Sequence, residues 1–165
     1  MSGGGYNESV NLVNSISGLI DDTYEIIIVS TLPISKDFRE ECAYECLQLK
    51  ITKIHRLLMY LRRLVLLTLS HVVPGNAKLV SLCKKLFFGK NIIDKFVEKH
   101  NISVIHFASP NPLAFFVEET NYSLSVYDLA HITIPYFPEL RNNYEFETRH
   151  HYYSNVLHKA FCIIV

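Results

Sequence analysis

Net charge is the first thing this 165-residue sequence lacks: sixteen Lys and Arg stand against sixteen Asp and Glu. No global field therefore draws the chain to nucleic acid, and any electrostatic partner has to be met by a local patch. The first residues lack the basic and apolar segments of a signal peptide, so a cytoplasmic, reducing setting is expected for Cys42, Cys46, Cys83 and Cys162. No Cys or His pair at zinc-finger spacing completes a four-ligand set. Cys42 and Cys46, one helical turn apart on a helix, therefore read as buried thiols, and no metal is expected. A membrane span is missing too, because the most apolar run, Leu57 to Val73, is short and has Arg62 and Arg63 in its middle, each costly at a bilayer centre. Repeats and low-complexity linkers are also absent.

What is there suits a folded globular protein, with 49% apolar and 19% charged residues, too hydrophobic for a disordered chain. The length fits one domain over 1–165. The neutral total hides an uneven distribution. Between Glu45 and Asp94 no acidic residue occurs, yet Lys50, Lys53, Arg56, Arg62, Arg63, Lys78, Lys84, Lys85 and Lys90 fall inside. This basic 50–90 region is either a solvated face or a cationic surface suited to anionic headgroups, in which case peripheral membrane contact is expected.

Periodicity orders the chain as alternating helices and strands. Tyr6 to Ile20 is apolar at helical spacing and opens at Gly3-Gly4-Gly5. Tyr24 to Ser30 is a short β-branched run that reads as a strand buried on both faces. Lys36 to Lys50 reads as a helix. Lys53 to Leu69 reads as another, with Ile54, Leu57, Leu58, Leu61, Leu64 and Val65 in one stripe and Lys53, Arg56 and Arg63 on a different face. Helices are expected over Ala77 to Phe88 and Asn91 to His100, with Gly89 as the break. Then come a strand at Ser103 to Phe107, a short helix at Leu113 to Glu119, a strand at Leu124 to Tyr127, a helix from Leu140 to His158 and a strand at Phe161 to Val165. Strands separated by helices imply an α/β fold with one parallel sheet covered by helices on both faces.

Three glycines opening a helix bring backbone N–H groups to a phosphate, where the helix dipole favours negative charge. They equally suit a floppy terminus. More informative is the stretch in which Tyr127-Asp128-Leu129-Ala130-His131 follows a strand, then Ile134-Pro135-Tyr136-Phe137-Pro138-Glu139-Leu140-Arg141, Tyr144-Glu145-Phe146-Glu147, and Lys159-Ala160 before the last strand. This segment resembles the N-terminal domain of the retaining, GT-B-type glycosyltransferases of family 4. Asn11-Leu12, on the helix behind the glycine loop, is similar to that family's opening.

The resemblance implies a Rossmann-like domain that transfers a hexosyl group from a nucleotide-sugar donor to a glycan or lipid-linked acceptor, without a metal or other cofactor. Asp128 and His131 are then the candidate catalytic residues, and Gly3, Gly4 and Gly5 the donor-diphosphate loop. Without the resemblance, Asp128 reads as a cap and His131 as a hydrogen-bonded loop residue. The chain departs from the pattern at Tyr127, often His or Trp in the family, and at Ile132, often Arg. It also lacks the family's first strand and its C-terminal donor-binding domain, so the 165 residues are expected to be the acceptor side of a larger enzyme, inactive in isolation. Two other classes stay open: a non-catalytic binding or scaffolding subunit working with a separate donor-binding chain, and an unrelated small nucleotide-binding protein.

Overall fold

The computed structural model describes residues 23–34, 36–73, 76–85, 89–126 and 144–165, with Asn11, Ser15, Leu129 and Ile132 as single positions. The chain divides into two compact units, Met1–Ile92 and Ile93–Val165. Its strands pair in parallel and are separated by helices, which is the α/β alternation expected from the sequence.

In the first unit, β1 (Ile27–Ser30) pairs in parallel with β2 (Glu45–Gln48), Ile28 opposite Cys46. The connection carries the six-residue helix α1 (Lys36–Glu41). This corrects the sequence reading, which ran one helix from Lys36 through Lys50. So short a helix has little intrinsic stability, and the chain from Cys46 gains more by satisfying the ladder groups along β1. Leu49 N–H extends that ladder to the Ser30 carbonyl at 2.9 Å. β1 is also less enclosed than its apolar run suggests, since Val29 is exposed.

Helix α2 (Lys53–Val72) starts at Thr52, whose hydroxyl accepts from His55 N–H while Thr52 N–H donates to His55 Nδ1. This reciprocal pair satisfies two of the orphan donors of the first turn. The helix buries Met59 and Arg62, and Arg62 Nη1 donates to the Gly89 carbonyl at 2.6 Å. Gly89 has a φ of +59°, the left-handed conformation that glycine adopts without a Cβ clash. It is the break expected there. Before it lies α3 (Ala77–Cys83), capped by the Asn76 side chain on Leu79 N–H.

The second unit begins with α4 (Ile92–Lys99). Its C-terminus is a Schellman turn: Ile102 N–H reaches the Val97 carbonyl at 3.0 Å and Asn101 N–H the Glu98 carbonyl at 3.3 Å. Asn101 adopts a φ of 50°, a conformation asparagine tolerates better than most residues. A three-stranded parallel sheet follows in the order β3 (Val104–Phe107), β4 (Asn121–Ser125), β5 (Cys162–Ile164). The sequence reading expects one sheet; among the described residues the parallel strands pair as two small sheets, one in each unit. Among the described residues only β4 is flanked on both sides, and all of β5 is exposed.

A 3₁₀ turn (Pro112–Phe116) links β3 to β4, capped by Asn111 Oδ1 on Leu113 N–H. Helix α5 (Glu145–Val156), continued by a 3₁₀ turn at Leu157–Lys159, precedes β5. It packs on the Tyr122 side of β4, where Tyr122 Oη donates to the Val156 carbonyl at 2.7 Å. Leu124, on the same side, and Val156 are fully enclosed, both at 0% exposure. Phe115 meets Tyr152 edge-on at 5.4 Å between centroids, and Tyr152 meets Tyr153 likewise at 5.2 Å. Such aromatic edges add about 0.5–1.5 kcal/mol each to area burial.

Candidate functional site

Alternation along a strand sends Tyr122 and Leu124 to one face of β4 and Ser123 and Ser125 to the other. His106 on β3 is the register partner of Ser123. Its Nδ1 lies 2.8 Å from Ser123 Oγ and its Nε2 lies 3.2 Å from Ser125 Oγ. Burial pushes the imidazole below its usual range because desolvation disfavours the charged form. The ring is therefore neutral, with one nitrogen donating and the other accepting. One serine hydroxyl donates to the ring and the other receives from it.

This arrangement sits towards the carboxyl end of β3 and β4, the edge at which open α/β sheets gather their functional groups. An imidazole in this state can draw a proton from a hydroxyl, as a general base does. Both ring nitrogens are already engaged, so His106 turns to an outside group only when a serine rotates away. In the conformation described, the three side chains tie β3 to β4.

Asp94, in the first turn of α4, is a buried carboxylate, at 3% exposure. Burial raises its pKa above the usual carboxylate range, the charges of Glu118 and Glu119 raise it further, and the backbone N–H groups of the same two residues pull it down. Tyr152 Oη accepts from Asn111 N–H at 2.9 Å. Burial pushes this phenol up to about 12, against the pull of that hydrogen bond.

The residues proposed from the sequence fare differently. Gly3, Gly4, Gly5, Asp128 and His131 lie outside the described residues. Arg149 Nε donates to Glu145 Oε1 at 2.6 Å one turn away on α5, an ordinary surface pair. His150 stacks on Phe146 while His151 meets Phe115, so the adjacent histidines have different partners. Cys46 lies on β2 rather than on a helix with Cys42, which revises the one-turn spacing. Its thiol is raised first by burial and then by its hydrogen bond with Cys42. Among the described residues no three His, Cys, Asp or Glu side chains converge on a metal position.

Sequence reasoning missed the His106, Ser123 and Ser125 cluster. The available signal was alternation, Ser-x-Ser in one strand and a single His in the strand before it, which becomes a cluster only once the register is known. The chain matches no known protein family, no curated protein sequence and no solved structure.

Proposed function

We propose that this chain is the acceptor-side, Rossmann-like half of a cytoplasmic GT-B glycosyltransferase, which moves a hexosyl group from a nucleotide sugar to a glycan or lipid-linked acceptor. The observation that carries the reading is the parallel β4–α5–β5 unit. It frames the part of the sequence in which the family resemblance lies. β4 runs in sequence directly into Tyr127-Asp128-Leu129-Ala130-His131, and α5 and β5 supply the helix and next strand that the resemblance calls for.

The chemistry asks for such parts. As a sugar leaves a nucleoside diphosphate, charge builds on the departing phosphate, and backbone amides aimed at it stabilise the transition state; Gly3, Gly4 and Gly5 have that role. The acceptor hydroxyl must be held against the anomeric carbon, and polar groups just beyond a parallel strand suit that task. Asp128 and His131 take it. Ser125, the last residue of β4, and its partner His106 fix the strand end from which that segment departs.

Isotope-labelled chain titrated with nucleotide sugars and with acceptor saccharides tests the reading. Amide shifts should change around Gly3–Gly5 with the donor and around Asp128 and His131 with a saccharide, with no sugar nucleotide consumed. Silence at all five positions across donors and acceptors would sink the glycosyltransferase reading, and robust donor-dependent turnover by the isolated chain would overturn the half-enzyme reading.

A further inference from the structure

Helix α2 turns its most apolar face outward. It buries Met59 and Arg62 and leaves out the stripe the sequence reading had singled out, with Ile54 at 69%, Leu57 at 59% and Leu64 at 58% exposure, and Leu58 and Leu61 beside them. Lys53 and Arg56 flank that stripe on one side. Placing leucines in water while an arginine is enclosed reverses the usual preference of a surface helix. An exposed apolar patch of this kind marks a contact surface.

Charge narrows what the contact is. Between Glu45 and Asp94 every charged side chain is cationic. Helix α3, which packs against α2, also exposes leucines, Leu79 and Leu82. A shallow open cleft lies along α3 and the turn after it, lined by Lys78, Ser81, Leu82 and Lys85. Two ammonium groups and a hydroxyl are the donors a phosphate ester needs, and they stand among leucines. A single-stranded nucleic acid would want aromatic platforms for its bases; among the described residues this face offers aliphatic side chains and Tyr60. The 20 residues of α2 span about 30 Å, yet no helix among the described residues is apolar enough to cross a membrane. A helix so built is suited to lie along a membrane interface rather than to cross it.

We propose that the outer faces of α2 and α3 form a docking surface for an anionic phospholipid bilayer. The stripe from Ile54 to Val65 enters the acyl boundary, Lys53 and Arg56 extend to the headgroups, and the Lys78–Lys85 cleft holds a lipid phosphate. The inference is independent of the glycosyltransferase reading, because it is tested with no sugar present and either can fail alone.

The test is co-sedimentation of the full chain with phosphatidylcholine vesicles, with and without phosphatidylserine. Binding should require phosphatidylserine and fall as salt rises. Lys78→Gln combined with Lys85→Gln should weaken it about thirtyfold, at about 1 kcal/mol per cation near a charged bilayer. Leu57→Gln combined with Leu61→Gln should abolish it while the circular dichroism stays unchanged, since neither side chain is enclosed. Failure to bind phosphatidylserine vesicles overturns the proposal, as does binding indifferent to the leucine pair. So do displacement of vesicles by single-stranded RNA, a lipid-free dimer dissociated by the leucine substitutions, and crosslinking of α2 to residues 1–22 in lipid-free chain.

Discussion

Replacing His106 by alanine is the sharpest probe of the second unit. The imidazole bridges Ser123 and Ser125, and the two hydroxyls do not respond alike to its loss. Ser123 is half-buried and can turn to water, so its bond contributes about 1 kcal/mol net. Ser125 is buried, and a hydroxyl left there without a partner costs about 1–3 kcal/mol. His106→Ala should therefore destabilise the unit by about 2–4 kcal/mol, a large part of a domain's usual 5–15 kcal/mol, roughly. Burial depresses the imidazole pKa in the folded state, so on acidification the unfolded chain takes up the proton first. The stabilisation is complete above the unfolded value of about 6.5 and is lost as pH falls through the folded value. Urea unfolding followed by hydrogen exchange at the β4 amides measures both effects. A loss below about 0.5 kcal/mol, or an acid slope identical in wild type and His106→Ala, would refute the reasoning.

Leu124→Ala should cost about 3–5 kcal/mol, because a fully enclosed side chain on the central strand leaves a cavity that its neighbours fill only in part; a chemical-denaturation midpoint hardly changed would show that this core is loose. In a spectrophotometric titration Tyr152 should ionise late, near pH 12, because it is buried. Tyr152→Phe should remove that late step and cost about 1 kcal/mol through the stranded Asn111 N–H. A late step surviving in Tyr152→Phe would mean that another phenol carries it.

Legibility in the sequence followed how local the determinant was. α4 and β3 were readable because their apolar spacing lies within the elements themselves, and Gly89, just ahead of α4, has the positive φ that its position suggested. β2 was not readable: Glu45 to Gln48 is strand only because β1 offers it a ladder, and residues 36–50 taken alone favour helix. The stripe on α2 was correctly grouped, but which face a helix buries depends on its neighbours, and here Arg62 finds the Gly89 carbonyl and turns inward. The His106 cluster joins residues 17 and 19 positions apart, a separation at which only strand register decides proximity. Asp128, His131 and the three glycines rest on the family resemblance alone.

The Schellman turn at Asn101 has a bearing on this sheet beyond ending a helix. It sets the number of residues between the last turn of α4 and the first residue of β3, and a strand's side chains alternate with a period of two. Adding or removing one residue at Asn101–Ile102 would reverse the parity of β3, sending His106 to the side of Tyr122 and Ile105 towards Ser123 and Ser125. A left-handed asparagine thus acts as a counter, and the identity of the face that carries the imidazole is written in the length of a turn that never touches it.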